Sequence, residues 1–137
     1  MTEPDPTGLP TPRIGDWVTA VAGVATALVV LRLLPLHRTL ALVRLLRRTS
    51  RAPAGRLAAL RSAQACRRIA RRFPGRTACL DVSLATVVTT ALRWRSVSWC
   101  IGCRFSPCQS HAWVEVRGVP VAEPVLTTTP FHVTVRV

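Results

Sequence analysis

The hydrophobic pattern is clearest in the second half of the chain. In CLDVSLATVVTTALRWR the apolar residues Leu80, Leu84, Val87, Val88 and Leu92 recur every three or four positions, which predicts a helix opening at Cys79. Pro74 and Gly75 end whatever precedes it, and Thr77 can cap the new helix. After Arg95 the period drops to two. Val97, Trp99, Ile101, Cys103 and Phe105 alternate with Ser98, Cys100, Gly102 and Arg104, a strand pattern. The polar break SPCQS leads to a second strand opened by His111, in which His111, Trp113 and Glu115 share a face opposite Ala112, Val114 and Val116. Arg117 and Gly118 read as a hairpin turn, and VPVAE returns as a third strand ending at Glu123. FHVTVRV at the C-terminus alternates Phe131, Val133, Val135 and Val137 with His132, Thr134 and Arg136 as a fourth.

Upstream the period is helical throughout. Trp17 to Leu31 is almost wholly apolar and continues past Arg32 to Leu36, which predicts a buried helix covering the core. The run falls short of the roughly 20 residues that span a bilayer and is rich in Ala, Thr and Gly, which favours burial; seating of residues 17–36 on a membrane is the alternative. Leu36, Leu40, Val43 and Leu46 then stripe one helix. Leu57, Leu60 and Ile69 stripe another from about Ala54 to Phe73, with Arg61, Arg67, Arg68, Arg71 and Arg72 on its polar side. Residues 1–13 hold four prolines and should be a disordered tail. The prediction is an α+β protein: helices over 14–73, then over 74–137 a cysteine-bearing helix followed by an antiparallel sheet.

That order of elements gives Cys79, His111 and Glu123 a common chemistry. A thiol at a helix start meets unpaired backbone N–H groups and the positive end of the dipole, both of which favour the thiolate. A histidine on the adjacent strand can take its proton, and a carboxylate can orient the ring. Which face carries the acid depends on the hairpin. A three-residue loop with left-handed Gly118 sets Glu123 directly opposite His111, whereas a two-residue loop sends it to the other face. Glu115 lies four residues along the same strand, about 13 Å from His111 at the usual rise, too far to touch the ring.

The segments CLDVSLATVVTTALRWRSVSWCIGCRF and SHAWVEVRGVPVAEP resemble the leader peptidases of lasso-peptide biosynthesis, a small branch of the transglutaminase-like, papain-like cysteine proteases. The resemblance is close over the second half and looser over the Arg-rich helices ending in RRFPG. It implies a minimal papain/transglutaminase-like core under N-terminal helices, with Cys79 as nucleophile, His111 as base and Glu123 where the family usually has aspartate. It further implies three partners: the leader of a precursor peptide, a separate leader-recognition protein, and a lasso cyclase. Neither a cofactor nor nucleic acid is expected.

Composition narrows the setting. The 137 residues suffice for one domain, and the net charge of +13 comes from nineteen arginines, with no lysine, against six acids. An acidic or anionic partner, or simply a wet surface, accounts for such a balance. Five cysteines is an odd number, and the start MTEPDPTGLPTP is acidic where a secretory signal would be basic. Both predict reduced thiols and a cytoplasmic location. His37, His132 and Cys66 have no catalytic context and read as structural. Two other classes compete. Cys100, Cys103, Cys108 and His111 have the spacing C-x2-C-x4-C-x2-H, and four such ligands on a basic chain would make a zinc module for nucleic acid. An extended strand opposes this, since an offset of three puts Cys100 and Cys103 on opposite faces. A non-catalytic basic adaptor, with Cys79 as a core residue, is the other.

Overall fold

A computed structural model describes residues 12–72, 79–105, 108–121 and 132–137. Among these described residues four helices, α1 (Ile14–Leu33), α2 (Leu36–Thr49), α3 (Arg56–Ala70) and α4 (Cys79–Ala91), accompany six strands. These are β1 (Ala52–Pro53), β2 (Arg95–Ser96), β3 (Ser98–Phe105), β4 (Cys108–Val116), β5 (Val119–Pro120) and β6 (His132–Arg136). β1 and β2 form a short parallel pair, and the main sheet is antiparallel in the order β5-β4-β3-β6. The fold class is therefore α+β, as the sequence predicts.

α4 is the axis of the molecule, packed against α1 and α3 on one side and against β4 and β3 on the other. Residues Ser83 to Thr90 are all buried. Three of them are threonines, which a buried helix tolerates only if their hydroxyls are satisfied. They bond back along the helix: Thr86 Oγ1 to the Val82 carbonyl at 2.9 Å, Thr89 to Ala85 at 2.7 Å and Thr90 to Thr86 at 3.0 Å. Leu92, expected on the buried stripe, falls beyond the helix end and is exposed.

The first helix departs from expectation in two ways. It ends at Leu33, short of the apolar run's limit at Leu36, and it buries only one face: Asp16, Ala20, Gly23, Val24 and Ala27. Those residues are small because α4 comes close. A Cβ on Gly23 would lie 2.1 Å from Thr89 Oγ1 and 2.8 Å from the Ala85 carbonyl. Thr89 Oγ1 also meets the Cys66 thiol of α3 at 3.3 Å, so the same point joins three helices. Gly23→Val is accordingly expected to destabilise the protein by about 3 kcal/mol, the upper range for overpacking a rigid contact, as measured by urea denaturation.

Other parts of the helical prediction also shift. α3 buries Leu60 and Ile69 but leaves Leu57 in its first turn exposed, and it ends before Phe73, which lies outside the described residues. Its arginines are not uniformly wet. Arg61 reaches Asp16, and the guanidinium of Arg68 lies 6.0 Å from the centre of the Trp17 ring. In α2 Val43 and Thr39 are buried, while Leu36 is exposed. β6 pairs with β3 through a bulge. Ile101 faces Val135 but Gly102 faces Val133, so Thr134 is the extra residue and Val133 leaves the apolar side of its own strand.

Candidate active site

Cys79 is the first described residue of α4, and its thiol is exposed; the predicted break at Pro74 and Gly75 lies outside the described residues. β4 begins earlier than predicted, at Cys108, with His111 as its fourth residue, paired with Gly102 of β3. Cys79 and His111 line one cavity of about 160 Å³. Val82, Ser83 and Thr86 of α4, Ala63 and Arg67 of α3, and Val121 complete it, with Ala112, Trp113 and Val114 beside the histidine.

Alternation along β4 locates this cavity. Trp99 and Val114 are paired, and Trp99 Nε1 donates to Ser83 Oγ of α4 at 2.9 Å, so Ala112 and Val114 belong to the face turned toward the helices. His111 and Trp113 belong to the other face. A cavity lined by four consecutive residues, two of each face, lies at the strand edge rather than over either face. β5 leaves that edge open among the described residues, because its pairing runs only as far as the Val121 N–H bonded to the Val114 carbonyl, 2.9 Å. Cys79 and His111 thus meet at this cavity as two of its lining residues.

The histidine is held by its neighbours. Its ring stacks on the Trp113 indole, centroids 5.8 Å apart and planes 18° from parallel. Trp113 Nε1 donates to Glu115 Oε1 at 3.0 Å, and Glu115 Oε2 lies 3.1 Å from the Arg136 guanidinium. Glu115, which the sequence excludes from touching the ring, therefore acts on it at one remove, and the buried carboxylate has a cationic partner. This chain was legible only as shared parity on β4; Arg136 enters through the β3–β6 pairing that sets it opposite Cys100.

Gly102 makes room for the indole. A Cβ there would sit 2.8 Å from Trp113 Cη2 and 2.5 Å from the His132 carbonyl. Gly102→Ala should cost about 2 kcal/mol and displace the indole on which His111 rests, seen as a lower denaturation midpoint with altered near-ultraviolet dichroism of tryptophan.

The hairpin decides less favourably for the acid. Val116 pairs with Val119, so the loop is the two residues Arg117 and Gly118, both with positive φ, 53° and 79°. That is the primed turn whose twist matches the strands. The three-residue loop that would set Glu123 opposite His111 is thereby corrected, and Glu123 itself lies outside the described residues. The zinc arrangement also fails on its geometry: Cys100 and Cys103 sit three apart in the unbroken β3–β4 ladder and face opposite ways. Among the described residues no cluster of three metal-ligating side chains occurs.

The remaining described thiols differ from Cys79 in access. Cys66 and Cys100 are fully buried, and burial pushes both above the ordinary value of 9.0, against hydrogen bonds from Thr89 and Arg136 respectively that pull down. Iodoacetamide at neutral pH should therefore label Cys79 well before Cys66 or Cys100, as read by peptide mass mapping. The two buried thiols carry a stability term that is complete below about pH 9 and is lost as pH climbs from there through their raised folded values.

A family model described as the transglutaminase-like superfamily matches residues 13–136. No curated protein and no solved structure matches the chain. With nearly its whole length covered, on an α+β frame whose central helix carries Cys79, this chain belongs to the transglutaminase-like superfamily.

Proposed function

We propose that this protein is a cysteine peptidase that removes the leader from a lasso-peptide precursor, with Cys79 as nucleophile, His111 as general base and Glu123 as the orienting acid. The observation that carries the reading is the cavity lined by both Cys79 of α4 and His111 of β4. Members of this superfamily usually work through a cysteine, which supports the same assignment. The specificity for lasso precursors rests on the resemblance of the CLDVSLATVVTT and HAWVEV segments.

In this reading the Cys79 sulfur attacks the carbonyl at the leader–core junction while His111 takes the thiol proton. The backbone N–H groups at the start of α4 face the developing oxyanion. His111 gives the proton to the departing amine, and water then releases the leader from the thioester. A separate recognition protein presents the leader, and a cyclase uses the freed core N-terminus to close the ring.

The test is mass spectrometry of a precursor incubated with the purified chain, with and without the recognition protein. Expected are two products whose masses sum to the precursor plus one water, formed faster with the partner. Intact precursor under both conditions sinks the assignment; equal rates without the partner sink its cooperative part.

A further inference from the structure

α1 is apolar on all sides yet packs on one side only. Against α4 and α3 it sets Ala20, Gly23, Val24 and Ala27. The opposite side is a stripe of Ile14, Val18, Val21, Ala25, Val29 and Leu33, all exposed, with Ile14 at 83% and Leu33 at 75%. Their spacing of three and four keeps them on one face over the whole helix, about 30 Å at 1.5 Å per residue. Polar groups on this helix are already satisfied. Thr26 Oγ1 donates to the Ala22 carbonyl at 2.7 Å and Thr19 Oγ1 to the Gly15 carbonyl at 2.9 Å. The helix's one acid, Asp16, is buried.

Charge selects among the ways of covering such a face. Arg13 precedes the helix and Arg32 stands in its last turn, both exposed, and α2 follows with Arg38, Arg44, Arg47 and Arg48, also exposed. A second copy at net +13 would be repelled. A protein partner needs polar groups to fix its register, and this stripe offers none. An anionic lipid surface asks for acyl-compatible side chains with cations beside them.

Length and hydropathy alone would let α1 cross a bilayer, with a mean hydropathy of 1.9. Its inner face forbids it. Gly23 is fitted against Ala85 and Thr89, and Asp16 is paired with Arg61 and Arg93, contacts that a spanning helix would have to abandon in lipid.

We propose that the outer face of α1 docks this protein on an anionic bilayer, lying in the interfacial plane with Ile14, Val18, Val21, Val29 and Leu33 among the acyl chains and Arg13 and Arg32 at the phosphates. The surface is separate from the cavity at Cys79, so this proposal stands or falls independently of the peptidase reading.

The test is co-sedimentation of the full chain with vesicles of phosphatidylcholine alone and of phosphatidylcholine mixed with phosphatidylglycerol. Expected is binding to the mixed vesicles that weakens with added salt, and that falls about tenfold or more in a Val18→Glu, Val29→Glu double variant. Both sites are exposed, so the double variant should keep its melting temperature and circular dichroism. A carbonate wash at high pH should release the wild type from the vesicles. Absence of wild-type binding, equal binding by the double variant, or retention after the wash would overturn the proposal. A wild type that ignores vesicles while the double variant loses partner-stimulated cleavage would overturn it in favour of a protein-docking face.

Discussion

Cys79→Ala is expected to reduce leader cleavage by about 10⁴-fold or more, to the level left by binding alone, with no loss of precursor affinity. Nothing else in the cavity can replace the sulfur: its other polar side chains are Ser83, Thr86, Arg67, Trp113 and His111. Ser83 is buried, donates to the Leu80 carbonyl and accepts from Trp99, so its hydroxyl is engaged in structure. Because Cys79 is exposed at a helix start, its truncation should move stability by less than about 0.5 kcal/mol. His111→Ala should lose a similar amount of activity, since base and nucleophile act as one unit and their effects do not add. Cys103→Ala, outside the lining of the cavity, should keep the wild-type rate. Single-turnover assays by mass spectrometry, run with the recognition protein present, give all of these. Cleavage by Cys79→Ala at the wild-type rate would remove the peptidase assignment altogether. Loss in Cys79→Ala but not in His111→Ala would instead keep the nucleophile and require another base. Glu123→Gln tests the acid, whose support from hairpin register is gone.

The sequence revealed what periodicity encodes and little of what contact decides. α4, β3 and β4 were legible because each has a sustained period, which placed Cys79 in the first turn of a helix. The hairpin was legible as a turn but not in length, since Arg117 and Gly118 fit a two- or a three-residue loop. One residue of difference removes the register argument that set Glu123 opposite His111. α1 was misjudged as wholly buried because an all-apolar run has no polar side to mark what remains uncovered. The ladder from His111 through Trp113 and Glu115 to Arg136 was half visible: parity on β4 placed the first three together, while Arg136 depends on β6 pairing with β3 across a bulge. Asp16 left no signal at all. Among apolar neighbours a lone acid in a first helical turn reads as a favourable dipole contact, and its partners lie in other elements.

Asp16→Ala is expected to be as destabilising as Gly23→Val, costing about 3 kcal/mol. Asp16 is 1% exposed, and its carboxylate does three things at once. Oδ2 accepts from the Arg13 backbone N–H at 2.7 Å, closing the N-terminus of α1, where an acid also favours the dipole. Oδ1 lies 2.7 Å from Arg93 Nη1, just past the end of α4, and Oδ2 lies 3.5 Å from Arg61 Nε of α3. One carboxylate therefore ties α1 to both helices it packs against. Removing one member of a buried ion pair commonly costs about 3–5 kcal/mol, because the other charge is left without compensation. Here the estimate sits at the low end. Arg61 and Arg93 have side chains 21% and 35% exposed, so both can turn partly to water once the acid is gone. Asp16→Asn separates the contributions: it keeps an oxygen able to accept from Arg13 while losing the charge, and should cost less than alanine. Urea denaturation of wild type, Asp16→Ala, Asp16→Asn and Arg93→Ala, with the Asp16→Ala, Arg93→Ala double variant to close the cycle, measures the coupling directly. A coupling near zero would mean that the Asp16–Arg93 pair adds nothing beyond the helix cap. A large one would make this ion pair the clasp that keeps α1 on α4, and with it the reason a helix long enough to cross a membrane stays bound to the fold.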